Sequence, residues 1–145
     1  MFLPLMKRSI KSVSFACVLA LVFGKAIAAN PAPELPARTL VVTMTKGVLQ
    51  DALEQLRKFS DENGFAIRTS QSSPDPEDIL VQMWREDIKG IGVNTSDTAA
   101  ADISYSIFLY RNCNDAVPEW AFDEVATRLR KVLAKTEGVR SVRAE

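Results

Sequence analysis

The stretch that decides the fold is residues 79–111, ILVQMWREDIKGIGVNTSDTAAADISYSIFLYR. Large apolar residues alternate in it with smaller or polar ones, at the period of two that is typical of half-buried β-strands. We predict three strands here, over residues 79–85, 88–94 and 103–111. A tight turn at Glu86-Asp87 joins the first two. Because it lacks the glycine that two-residue hairpins prefer, one long bent strand is an open alternative.

Two amphipathic helices and three short strands flank this stretch. Residues 48–63 and 118–137 each carry an apolar stripe at spacings of three and four, with acids early and bases late as the helix dipole favours. The short strands are predicted over residues 39–45, 65–69 and 139–142. This order predicts an α+β fold of two layers, with two helices packed on one face of a mostly antiparallel sheet. The pattern resembles a ferredoxin-like βαβ…βαβ arrangement with an inserted hairpin, which implies no function.

The first 28 residues have the features of a secretory signal peptide. Basic residues within 7–11 precede an apolar run over 12–24, and Ala26 and Ala28 are the small residues that a signal peptidase recognises. We therefore expect export, to the periplasm or the medium, in a bacterium. The apolar run is shorter than the about 20 residues of a spanning helix, so we expect no membrane span after cleavage.

Cleavage after residue 28 changes the charge and the cysteine count. The whole chain of 145 residues has 18 Lys plus Arg, 18 Asp plus Glu, two cysteines and no histidine. The predicted signal takes four basic residues, no acid and Cys17, so the processed chain has a net charge of −4 and keeps only Cys113. Residues 29–38 are predicted to be a Pro-rich tether, and residues 39–145 a single domain. Lipid attachment at Cys17 is a weaker alternative, because the bulky Phe15 lies where a small residue is expected.

The composition excludes several classes of function. Without histidine there is no Ser-His-Asp or Cys-His catalysis and no imidazole metal ligand. The acidic net charge argues against nucleic acid as a partner and favours a basic protein. Gly90-Ile91-Gly92 lacks the third glycine of a dinucleotide fingerprint, and the acids at 75, 77 and 78 lack the spacing of a calcium loop. We expect no cofactor and no metal.

Cys113 is a candidate free thiol with three interpretations. It is a nucleophile, although no histidine is present to activate it, or it forms an intermolecular disulfide and a homodimer, or it has no role. Catalysis by two carboxylates is also open, with Glu86 and Asp87, or Asp97 and Asp102, as the candidate pairs.

The alternation of the strands predicts which sheet face is open. The more uniformly apolar sets should face the helices, which leaves Trp84, Phe108 and Tyr110 on the other face. In the middle strand Ile91 and Val93 are expected to point inward, with Gly90 and Gly92 outward as the floor of a shallow groove. We predict that the three aromatic residues and the two glycines form a binding surface.

These observations favour a small exported binding protein without catalytic activity. It is predicted to act as an inhibitor, an immunity protein or an accessory factor for another exported protein. The alternatives are a carboxylate-based hydrolase of cell-wall glycan, which needs two acids in one cleft, and a module that binds a small ligand in the groove.

Overall fold

The computed structural model describes residues 34–97, 99–112 and 116–145, and these contain six strands and two helices. The predicted signal peptide with Cys17, the start of the predicted tether, and Cys113 lie outside the described residues. The elements, in chain order, are β1 (Arg38–Thr45), α1 (Leu49–Glu62), β2 (Ala66–Gln71), β3 (Ile79–Trp84), β4 (Ile88–Asn94), β5 (Asp102–Arg111), α2 (Glu119–Leu133) and β6 (Val139–Ala144).

The strands of the described part form one sheet in the order β2-β3-β4-β5-β1-β6, and every neighbouring pair is antiparallel. The two helices pack on this sheet, so the predicted α+β fold of two layers is confirmed. The β3–β4 hairpin lies between β2 and β5, which is compatible with a ferredoxin-like pattern carrying an inserted hairpin.

The apolar stripes of the helices form the core with the inner face of the sheet. In α1 all five predicted stripe residues are buried: Leu49, Ala52, Leu53, Leu56 and Phe59. In α2 the buried residues are Phe122, Val125, Ala126, Leu129 and Leu133. Each large side chain in this core contributes about 1.5–3 kcal/mol of transfer free energy. None of the helices among residues 34–145 that the structure describes is long and apolar enough to cross a membrane.

Helix α2 ends at Leu133, before the predicted end at residue 137. After it the amides of Lys135 and Thr136 donate to the carbonyls of Val132 and Leu133, at 3.2 and 3.0 Å, in tighter turns of i to i+3. The chain then reverses at Gly138, whose φ of 84° suits glycine. The sequence predicts that Gly138 caps this helix, which is wrong, because the C-cap is Ala134 and Gly138 lies in the turn before β6.

The predicted orientation of β4 is wrong, because its glycines face the helices. Gly90 and Gly92 are buried, whereas Ile91 and Val93 are half-buried on the opposite side. A Cβ built on Gly92 would lie 2.7 Å from Cε1 of Tyr105. The Tyr105 ring crosses β4 at this glycine, and its hydroxyl donates to the carbonyl of Ile79, in β3, at 2.9 Å. The glycines thus make room for large inner side chains and are not the floor of an outer groove.

The turn between β3 and β4 is built by charged side chains instead of glycine. The guanidinium of Arg85 donates to both carboxylate oxygens of Asp87, at 2.6 and 2.9 Å, and to the Asn63 carbonyl at 3.0 Å. It also lies 4.5 Å from the ring centroid of Phe65. Asn112, from the end of β5, donates its side-chain amide to the Arg85 carbonyl at 2.5 Å. These contacts favour two strands over the alternative of one long bent strand.

We expect the Arg85–Asp87 pair to stabilise the fold at neutral pH and not in acid. The hydrogen bonds from Arg85 hold the pKa of Asp87 below its ordinary value of 3.8. A carboxyl whose folded pKa is depressed contributes stability above its unfolded pKa and loses it as pH falls through the folded pKa. Asp87→Asn should therefore lower the free energy of unfolding by about 1 kcal/mol at pH 7. The difference from the unsubstituted protein should shrink toward about pH 2.

Denaturant unfolding at both pH values checks this expectation. Glu86→Gln is the matched control, because Glu86 is exposed in the same turn and should change stability little at either pH. Equal stability of Asp87→Asn and the unsubstituted protein at pH 7 would contradict the stabilising role of the pair.

Candidate binding face

The sheet surface opposite the helices, which we call the outer face, carries two cross-strand rows of side chains. Strand register places Trp84, Lys89 and Tyr110 in one row. It places Gln82, Ile91 and Phe108 in the next row. Residues paired directly across antiparallel strands share a face, so these six side chains are neighbours. The structure thus brings the three predicted aromatic residues together.

Part of the apolar surface in these rows is accessible. Trp84 is 44% exposed, and Ile91, Phe108 and Tyr110 are half-buried. A third row, Val41, Ser106 and Val93, lies next to Phe108 and Ile91. There the β4–β5 loop contacts the sheet: the hydroxyls of Thr95 and Ser106 lie 3.1 Å apart, and Ser106 is only 5% exposed. The open part of the outer face is therefore the end that carries Trp84 and Tyr110.

Lys89 supplies the polar contact at this open end. Its Nζ lies 5.5 Å from the ring centroid of Tyr110 and 3.0 Å from a carboxylate oxygen of Glu34. Such cation–π contacts are worth about 0.5–1 kcal/mol at exposed sites. Glu34, the first residue that the structure describes, therefore reaches the outer face through its ion pair with Lys89.

A shallow depression of about 230 Å³ lies between Trp84 and Ile91. Gly90 contributes to its wall, although a glycine contributes only backbone there, and Gly92 does not line it. Gln82, Lys89 and Asn112 also line it. Small-molecule sites usually enclose about 300 Å³ or more, so this depression fits one side chain of a partner better than a ligand.

Two of the four carboxylates in the candidate catalytic pairs form ion pairs with arginines. Asp87 is hydrogen-bonded to Arg85, and that bond keeps its pKa low, whereas a general acid needs a raised pKa. Asp102 forms an ion pair with Arg140 at 3.1 Å. Asp87 and Asp102 are therefore each held by a neighbouring arginine.

Sequence reasoning missed Lys89 and Ile91 as members of the outer face. A signal was present, because lysine is almost never fully buried and Lys89 shares its strand parity with Ile91 and Val93. It also missed Trp120, which is 65% exposed on α2 beside Arg85 and Arg128. The molecule thus presents one exposed tryptophan on the sheet and another on the helix layer.

The fold and the outer face define a small α+β domain with an open, partly aromatic sheet surface. No family model and no curated protein matches this chain. Among solved structures, the chain is matched to the solution structure of the C-terminal domain of the MgtC protein from Mycobacterium tuberculosis, with a TM-score of 0.36 and 13% sequence identity. The match covers 74% of this chain and 83% of that one. A similarity at this level supports no conclusion about function.

Proposed function

We propose that this chain is a small exported binding protein without catalytic activity, which contacts another exported protein through its outer face. The observation that carries the proposal is the cluster of Trp84, Ile91, Phe108 and Tyr110, accessible on one side of the sheet. Aromatic residues supply large contact area at low entropic cost and dominate the energetics of protein interfaces. An inhibitor, an immunity protein or an accessory subunit would each use such a surface.

The charges around the outer face change the surface chemistry that we expect of the partner. The net charge of −4 that we predict for the processed chain favours a basic protein, but the edge strands place Arg68 of β2 and Arg143 of β6 on this side of the sheet. Neither forms an ion pair within the described residues. We therefore expect a partner with apolar side chains at the centre of its contact surface and acidic groups at the rim.

Capture from the exported proteins of the source cell tests this function. The chain is immobilised unsubstituted, as Trp84→Ala and as Trp120→Ala, which removes the other exposed tryptophan. We expect one stoichiometric partner with the unsubstituted chain and Trp120→Ala, and its loss with Trp84→Ala. Equal recovery by all three variants would contradict the outer face as the contact site.

An assay of the purified chain on cell-wall glycan distinguishes the binding protein from the hydrolase alternative. A non-catalytic protein should release no sugar from cell-wall glycan. Release that disappears in Asp97→Asn or Asp102→Asn would support the carboxylate mechanism instead.

A further inference from the structure

A cavity of about 160 Å³ lies in the helix layer beside the exposed indole of Trp120, away from the outer face. Helix α2, the end of α1 and the turn between β3 and β4 form its walls. Planar polar side chains dominate its lining: Asn63, Arg85, Asp87, Glu124 and Arg128. The cavity thus combines one aromatic surface with several hydrogen-bonding groups.

The four charged side chains of this cavity form two ion pairs. Arg85 donates to both carboxylate oxygens of Asp87, at 2.6 and 2.9 Å, and Arg128 donates to Glu124. The two positive and two negative charges cancel, so the lining has no electrostatic preference for an anion or a cation. It keeps hydrogen-bonding capacity, because Arg128 has five N–H groups and donates two of them within the described residues. The lining therefore suits a neutral ligand that can both donate and accept hydrogen bonds.

Asn63, the C-cap residue of α1, holds both guanidinium groups in place. Its backbone carbonyl accepts a hydrogen bond from Arg85, and its Oδ1 accepts one from Arg128, each at 3.0 Å. Its own side-chain amide donates to the Phe59 carbonyl at 2.8 Å. The guanidinium of Arg85 also lies 4.5 Å from the ring centroid of Phe65. Because these groups are already ordered, they lose little conformational entropy when a ligand binds.

The indole of Trp120 is the apolar part of the cavity, and it is 65% exposed. The lining contains no other exposed large apolar side chain. A protein contact surface would group several such residues at its centre, as the outer face does. A pyranose ring needs only one, because the C–H groups of one ring face pack on an aromatic face while the hydroxyls donate and accept hydrogen bonds at the ring edge. The lining therefore fits a sugar ring better than a protein surface.

We propose that this cavity binds one pyranose ring of a neutral glycan, which stacks on Trp120 and bonds through its hydroxyls to Arg128 and Glu124. This is a second binding function, and it does not depend on the outer face. Sites that enclose a whole drug-sized ligand usually measure about 300 Å³ or more, so a cavity of about 160 Å³ takes one ring and leaves the rest of the glycan outside. One ring, with about 12 non-hydrogen atoms, gives a dissociation constant of about 1 mM.

Titration of isotope-labelled chain with cellotetraose and with chitotetraose, followed by NMR, tests the site. The chain has two tryptophans, so the indole N–H signals of Trp84 and Trp120 report on the two faces separately. We expect at least one sugar to shift the Trp120 signal with a midpoint of about 1 mM and to leave the Trp84 signal in place. A shift with chitotetraose alone assigns the site to N-acetylated rings, and a shift with cellotetraose assigns it to the ring itself. No shift of the Trp120 signal, or equal shifts of both signals, would overturn the proposal.

Matched variants at the two tryptophans locate the binding, which is read here from saturation transfer to the sugar. Trp120→Ala should raise the midpoint at least about ten-fold, because it removes the stacking surface, and the exposure of Trp120 keeps the effect on folding small. Trp84→Ala should leave the midpoint unchanged. Arg128→Gln should raise it about three-fold, because donors to the sugar hydroxyls are lost. An unchanged midpoint in Trp120→Ala would overturn the proposal.

An acidic sugar tests the charge of the cavity. Because the two ion pairs cancel, tetragalacturonate should bind no more tightly than the neutral oligosaccharides at about 0.15 M salt. Binding of tetragalacturonate at least about ten-fold tighter would make this an anion site and overturn the assignment to a neutral glycan.

Discussion

Replacing Gly92 by alanine is expected to lower the free energy of unfolding by about 3 kcal/mol, the upper part of the range for overpacked cores. The new methyl group would lie 2.7 Å from Cε1 and 2.9 Å from the hydroxyl oxygen of Tyr105. That ring is 1% exposed, and its hydroxyl is held by the carbonyl of Ile79. The ring therefore has no free space into which it can move. Removing this steric clash requires either breaking the buried hydrogen bond from Tyr105 to Ile79 or displacing β4.

Gly90→Ala is the matched comparison for this prediction. Its methyl group would lie 2.6 Å from Cε and 2.9 Å from Cγ of Met83, which has a flexible side chain. Methionine adapts to irregular space at low cost, so we expect a loss of only about 1 kcal/mol. Urea unfolding of both variants measures the difference. If Gly92→Ala unfolds like the unsubstituted protein, the glycines point to solvent and the core packing described above is wrong.

Replacing Trp84 by alanine is expected to weaken binding of the captured partner by about 30-fold, which corresponds to about 2 kcal/mol. Trp84 is the most exposed residue of its cross-strand row and lines the depression beside Ile91. A partner side chain seated there would bury the indole, and truncation would remove that contact. Calorimetry or surface plasmon resonance with the purified partner measures the loss.

Two controls separate this effect from unfolding and from general surface change. Because Trp84 is 44% exposed, Trp84→Ala should cost at most about 1 kcal/mol of stability. Trp120→Ala removes a more exposed tryptophan from α2 and should change the affinity by less than about three-fold. A larger loss with Trp120→Ala than with Trp84→Ala would move the interface to the helix layer.

The helices and most strands could be predicted from the sequence, because the spacing of their apolar residues agrees with the face that is buried. The stripe of α1 from Leu49 to Phe59 is buried as its spacing indicates. The alternation of β3 matches its burial, with Ile79, Val81 and Met83 inside. Where the spacing of residues along an element agrees with their hydrophobicity, the sequence alone predicts which face of the element is buried.

The orientation of β4 could not be predicted from hydrophobicity alone, because its inner face is shaped by a neighbour. Tyr105 is one strand away, and its ring needs the space above Gly92. Because the buried Tyr105 ring needs this space, the glycines of β4 face the core and Ile91 faces outward. This reverses the general rule that the more apolar set of a strand faces the core. For a similar reason the sequence predicted the β3–β4 turn but left one bent strand open as an alternative: Asn112 and Asn63, far away in the sequence, complete the hydrogen bonds of the turn.

The same long-range dependence limits what the sequence says about the candidate sites. The aromatic residues of the outer face were predictable, since β3 alternates throughout and β5 alternates from Ile107 to Tyr110. Their contact with Lys89 depends on the pairing of β4 with β5.

Mapping of backbone amide shifts by NMR, on isotope-labelled chain titrated with its captured partner, tests the outer face most directly. The account predicts that the largest changes fall on Trp84, Lys89, Ile91, Phe108 and Tyr110, with little change along α1 and α2. Changes centred on the helices around Trp120, with β3, β4 and β5 unaffected, would contradict it.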